Sequence, residues 1–229
     1  MVIVASIGSP YFLTLFNIQS LVRDLAFVGM VSIGMSLLLL IGELDLSVGN
    51  IASLSGILGG MMMVELGINP YLAFFIAVML GMIFGMINGF IITKLKLNAM
   101  VATIGMSNLY GGIVLAFTKG RAIPNIPKSI HFLGKSDLFY IPIPFVFTLI
   151  FLSAVLFWIN KTPTGRYIYA IGNSKETASL VGIKTNKIRV LLYAIVGFIS
   201  ALAGMLYVSR LGSAQTHIGS NWAMNAIAS

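Results

Sequence analysis

The sequence predicts an all-α, polytopic transmembrane helical bundle with a broken helix near residues 42–50. Three observations predict it. Apolar residues make up 58% of the chain and charged residues only 9%, with a mean hydropathy of +1.00, whereas a soluble domain carries about 25% charged residues. The apolar residues gather in runs that, as helices, are long enough to cross the hydrocarbon core, which takes roughly 20 residues. The runs do not alternate as barrel strands would, and an open sheet cannot satisfy its backbone in lipid.

The opening "MVIVASIGSPYF" has an apolar stretch too short to span and no basic residue ahead of it, which makes it a poor signal peptide. It reads as the stub of a first helix. Runs at 21–41, 70–93, 99–118, 141–159 and 188–209 are predicted spans, with a shorter apolar run at 48–66 containing Gly56, Gly59 and Gly60. Gly81, Gly85 and Gly89 recur every fourth residue, and Gly197, Ala201 and Gly204 line one side of the last span. Such rows let helices approach closely where lipid gives no hydrophobic drive between them. Asn88, beside Gly89, is expected to bond a neighbouring helix. The end, "NWAMNAIAS", stops in an apolar stretch, so 1–229 reads as a single transmembrane domain cut at both ends.

Two segments are too polar to cross: 119–140 and the more basic 160–187. On alternate sides, Lys94, Lys96, Lys161, Arg166, Lys175, Lys184, Lys187 and Arg189 stand against Arg23, Lys119, Arg121, Lys128, Lys135 and Arg210. Eight cations against six place 160–187 on the cytoplasmic side by the positive-inside rule. The net charge of +8 is therefore assigned to the lipid headgroups of the bilayer. Because the cations fall between apolar runs, no nucleic-acid partner is expected.

Within "LLLLIGELDLSVGN", Glu43 and Asp45 interrupt the apolar pattern. A carboxylate at the centre of a spanning helix costs roughly 2.5–3.5 kcal/mol and a leucine returns about 0.3–0.6. Protein, not lipid, must receive these acids. Asp45 is expected to cap the following segment by accepting from the N–H of residue 47 or 48, or to bond another helix. Contact with a transported solute is the bolder reading of an intramembrane acid.

Catalytic patterns are absent from the sequence. There is no G-x-x-x-x-G-K-[ST], so the chain is not expected to hydrolyse ATP itself. There is no H-E-x-x-H, His131 and His217 stand apart, and no cysteine occurs; no metal, no cofactor and no disulfide is expected. Ser47 has no nearby base, which argues against a serine nucleophile and an intramembrane enzyme. In "TPTGRYIYAIGNSKETASLVGI", Asn173 followed by Glu176 resembles a capping box opening a short helix, and Gly182 suits its stop. A short helix in a basic cytoplasmic loop is a candidate docking element.

Several ordered stretches resemble the permease subunits of ribose-type monosaccharide ABC importers, over essentially all 229 residues. "GELDLSVGN" resembles the G-G-I-D-L-S-V-G signature, with Glu43 where the signature has its second glycine. "GMINGFIITKLKLNAMVATIGM" resembles the N-G…K-L…T-L-G stretch, with Gly111 further on where arginine is common. "TPTGRYIYAIG" resembles the T-x-x-G-R-x-x-x-A-I-G segment facing the ATPase, with Asn173 and Ser174 where Gly-Asn is common. "GFISALAGMLYVSRLGSAQTHIGSNWAMNAIAS" follows the late helix and the polar stretch after it.

The resemblance implies a type II importer permease of the bacterial inner membrane, working by alternating access and lengthened in its relatives by further helices. It implies an ABC ATPase subunit, a second permease subunit (the same chain or a different one), a solute-binding protein and a small sugar as partners. Asp45, Glu43, Ser47 and Asn88 become candidates for the substrate pathway or the helix break. Gly165, Arg166, Ala170, Gly172, Glu176, Ala178 and Gly182 become candidates for coupling to the ATPase, within a cytoplasmic loop at 160–187. The alternative is a secondary transporter coupled to H⁺ or Na⁺ through Glu43 and Asp45.

Overall fold

The computed structural model describes residues 14–229; the expected stub of a first helix lies outside the described residues. Among the described residues, five helices are long and apolar enough to cross a membrane: α1 (Leu15–Leu39), α3 (Pro70–Leu95), α4 (Ala99–Thr118), α6 (Ile143–Lys161) and α9 (Thr185–Leu211). Between α1 and α3 lies α2 (Val48–Val64), whose 17 residues reach about 25 Å at 1.5 Å per residue. All six fall on the apolar runs expected from the sequence; α1 begins six residues before its expected run, and the other ends shift by no more than three.

The helix ends follow local chemistry. Asn69 accepts from the N–H groups of Tyr71 (3.0 Å) and Leu72 (3.5 Å) ahead of Pro70, and Asn98 accepts from Met100 (3.0 Å) and Val101 (3.3 Å). Each thereby satisfies donors that a helix start leaves open. At the other end of α1, Gly42 turns the chain with φ +73° and the Glu43 N–H returns to the Leu38 carbonyl at 2.9 Å.

The centre of the bundle is α9, which packs on α3, α2 and α1 and is the most buried span. It meets α3 almost backbone to backbone. A Cβ placed on Gly85 would strike the Tyr193 carbonyl, and one on Gly197 would strike the Gly81 carbonyl. The glycine row of α3 therefore faces α9 along its length. In α9 the expected row divides, because Gly197 and Ala201 face α3 while Gly204 faces the Ala52 backbone of α2.

The polar segment 119–140 is more structured than a loop. Ile123 and Ala214 exchange both backbone hydrogen bonds at 2.9 Å, and Ile123, Ile126 and Ile130 are buried in the core. A short α5 (His131–Lys135) follows, then a hairpin of β1 (Asp137–Leu138) and β2 (Ile141–Pro142). Arg23 of α1 holds the hairpin through Asp137 at 2.6 Å. His131 points its Nε2 at the Ile126 carbonyl, 3.0 Å away, and His217 is exposed. Arg210 pairs with Asp24, and the short α10 (Trp222–Ala228) stacks Trp222 on Phe27 of α1.

The segment 160–187 holds two helices where one was expected: α7 (Pro163–Asn173) and α8 (Lys175–Leu180). Thr162 caps α7 by accepting from the Gly165 N–H, with Pro163 in the first helical position, where its missing N–H is no loss. Asn173 is consumed as the last residue of α7. Ser174 takes the cap of α8 instead, its Oγ accepting from the Thr177 N–H at 3.2 Å. The expected Asn173–Glu176 capping box does not form, because the chain is already helical when it reaches Asn173. The stop at Gly182 matches the expectation in detail. Its φ is +85°, its N–H returns to Ser179 and that of Ile183 to Ala178, both at 3.1 Å, which is a Schellman turn.

Candidate functional site

The acids expected at the helix break lie in the connection between α1 and α2, and each residue of 43–46 is held by a different group. Asp45 is fully buried. Its Oδ1 accepts from the Ser47 N–H at 2.8 Å and the Ser47 hydroxyl at 2.6 Å, and its Oδ2 accepts from Asn88 Nδ2 of α3 at 3.3 Å. Asn88 Nδ2 also donates to Ser47 Oγ at 2.7 Å, and Asn88 Oδ1 accepts from the Tyr110 hydroxyl of α4 at 2.8 Å. Both amide hydrogens of Asn88 and the Ser47 hydroxyl thus have partners inside the protein, as buried polar groups require.

Helix α2 begins two residues later than a cap at Asp45 would have it. Ser47 is the residue before Val48, and its own side chain makes no cap bond. Asp45 accepts from residue 47, as expected, but in a turn two residues long that ties down the approach to the helix. The Leu46 N–H donates to Thr103 Oγ1 of α4 at 3.2 Å, and Tyr193 of α9 donates to the Leu44 carbonyl at 3.4 Å.

Glu43 goes elsewhere. Its Oε1 pairs with Arg189 Nε at 2.5 Å, with the two side chains 12% and 5% exposed, and its buried Oε2 has no hydrogen-bond partner. Of the four residues expected at the break or pathway, the structure brings Asp45, Ser47 and Asn88 together and sends Glu43 to a separate partner. Tyr110, Thr103, Tyr193 and Arg189 complete the site and were not singled out as site residues from the sequence. The polar spacing of Thr103 and Tyr110, seven residues apart on an apolar span, was the signal available for α4. Arg189 was read as a headgroup cation.

The candidate coupling residues line α7, α8 and the turn after them. Gly165 is buried against the Ile159 carbonyl, and Ala170 is half-buried. Gly172, near the end of α7, sits on the Leu40 carbonyl, where a Cβ would overlap it. Ala178 is buried, while Arg166, Glu176 and Gly182 are exposed. Beside them, a cavity of about 520 Å³ opens between the end of α3, α8 and the start of α9, with Lys96, Lys175 and Arg189 in its lining. Partial burial, and next the Arg189 guanidinium, push the Lys175 ammonium below the usual lysine range, while Glu43 and Glu176 pull it back up.

Residues 17–229 match the family described as branched-chain amino acid transport system, permease component. The chain belongs to this permease family. The permease is 38% identical over 232 residues to a ribose import permease protein of Bacillus subtilis, covering 100% of this chain and 71% of that one. It is 34% identical over 238 residues to a ribose import permease protein of Haemophilus influenzae, covering 100% of this chain and 72% of that one. An autoinducer 2 import system permease protein of Photorhabdus luminescens is 34% identical over 200 residues, 87% of this chain and 60% of that one. No solved structure matches the permease. It is a multi-pass membrane protein and a component of a transport system.

Proposed function

We propose that this permease is one of two membrane subunits of an ATP-driven importer in a bacterial inner membrane. It moves a monosaccharide, or a small polar solute of similar size, handed over by a solute-binding protein. A separate ATPase subunit docks on α7 and α8 from the cytoplasm and supplies the energy. The observation that carries this reading is the likeness, along the whole of this chain, to two ribose import permeases. The contact of Gly172 with Leu40 supports it, because it gives a cytoplasmic partner a direct mechanical route to the broken helix.

The polar groups divide by task in this reading. Asp45, Ser47, Asn88 and Tyr110 hold the break between α1 and α2 in one shape, since their hydrogen bonds are spent on one another. Alternating access needs such a rigid joint, because irregular backbone at membrane depth persists only where protein holds it. The ion-coupled alternative gains nothing from the site: Glu43 is engaged by Arg189, and among the described residues no cluster of acids or histidines forms a cation cage.

The test is reconstitution of the permease in liposomes with its ATPase and binding protein, followed by ribose uptake with and without ATP. Uptake that needs ATP and loaded binding protein is expected. Uptake that proceeds without the ATPase and collapses with an ionophore would transfer the reading to the ion-coupled class.

A further inference from the structure

The Glu43–Arg189 pair has features that stability does not explain. Both side chains are almost fully buried and bonded at 2.5 Å, across 146 residues of sequence. A buried ion pair rarely outperforms well-packed apolar residues, because desolvation of both charges opposes their attraction; fixing register is its best-attested use. Glu43 moreover stands where the resembling signature carries glycine, so the shared fold does not demand an acid at this place.

The surroundings say what the pair registers. Arg189 and Tyr193 are four residues apart, on one face of α9, and they hold consecutive residues of the break: Arg189 the Glu43 carboxylate, Tyr193 the Leu44 carbonyl. Helix α9 starts only a few residues after α8, joined through the Schellman turn at Gly182. A shift of α8 therefore moves the start of α9, and with it Arg189. Lys175 of α8 lies within the electrostatic reach of both partners.

We infer that Glu43 and Arg189 are positioning residues that lock the 43–46 break to the start of α9, so that displacement of α8 resets the pose of Asp45. Gly172 on Leu40 is one route from the cytoplasmic helices to the break, and the ion pair is the second, entering from α9. The inference rests on the importer reading above.

The test is Glu43→Gln in the reconstituted complex with its ATPase and binding protein. Glutamine keeps the volume and an oxygen for Arg189 and removes the charge. ATP hydrolysis and sugar uptake are measured on the same vesicles. The expected result is that loaded binding protein still stimulates ATP hydrolysis while sugar moved per ATP falls at least about fivefold, the lower end of usual site-to-site coupling. The binding-protein concentration for half-maximal stimulation should not change. An unaltered ratio of uptake to hydrolysis, with both rates kept or both lowered together, overturns the inference. Where Glu43→Gln does not reach the membrane, Glu43→Gln with Arg189→Gln removes both charges and the same ratio is read. The unmutated complex is the control: no ATP-dependent uptake there sinks the importer reading itself, before any variant is compared.

Discussion

Gly172 and Leu40 meet with no side chain between them: the glycine of α7 rests on the carbonyl at the end of α1. The short helix α7 and the long apolar helix α1 therefore share one contact, and four predictions follow from it and from the groups described above.

Gly172→Val should separate α7 from Leu40. Overpacking of this kind costs about 1–3 kcal/mol, enough to shift the joint without unfolding five spans. The variant is expected in the membrane at normal abundance with uptake reduced tenfold or more, since each 1.4 kcal/mol is about a factor of ten. Uptake within a factor of two of the unmutated permease would show that this contact carries no motion.

Gly182→Leu tests the turn after α8. Nothing lies within 4 Å of a Cβ at this position, so the penalty is the backbone alone, at φ +85°. A left-handed conformation costs a bulky residue about 1–2 kcal/mol. The permease should insert normally while the assembled complex loses both substrate-stimulated ATP hydrolysis and uptake. Stimulation retained in full would make the segment a simple connector.

For the two acids, the sequence pattern alone predicts that Asp45→Ala harms uptake or membrane yield far more than Glu43→Ala. The structure changes the second half of that expectation. Asp45→Ala strips partners from Ser47 and Asn88, each buried group left unpaired costing about 1–3 kcal/mol. Glu43→Ala leaves the Arg189 charge buried and unpaired, about 3–5 kcal/mol. Both alanine variants should lose yield in quantitative membrane blots, and Glu43→Ala with Arg189→Leu should recover more of it than Glu43→Ala alone. No recovery in the double variant would mean that the pair does not form in the membrane.

Topology follows from two exposed lysines in a chain without cysteine. Lys175→Cys should react with an impermeant maleimide only when reagent reaches the cytoplasmic side, and Lys128→Cys should react from outside. Labelling of both from one face would overturn the order of spans.

Much of the fold was legible because its signals are local. The apolar runs marked the spans. The row of three glycines spaced four apart on α3 pointed correctly to a close neighbour, which proved to be α9. What stayed hidden depended on distance along the chain or on competition between neighbours. Arg189 counts as a headgroup cation until Glu43 is seen beside it, and no local pattern links residues so far apart. Ser174 displaced Asn173 as a cap because α7 extends further than the loop-like composition suggested. Ile123, Ile126 and Ile130 were masked by the prolines and cations around them, although their spacing suits one buried edge.

The central position of α9 has a consequence for how the chain is made. Ribosomes add roughly 5–20 residues per second, so the 146 positions between Glu43 and Arg189 occupy roughly 7–30 s of translation. When that interval opens only α1 is complete, α3 is finished about a third of the way through it, and the helix they close upon does not exist until its end. The early spans must be kept apart from wrong partners until α9 arrives. Insertion of this permease is thus a waiting problem, in which the Glu43 carboxylate is made long before its Arg189 partner.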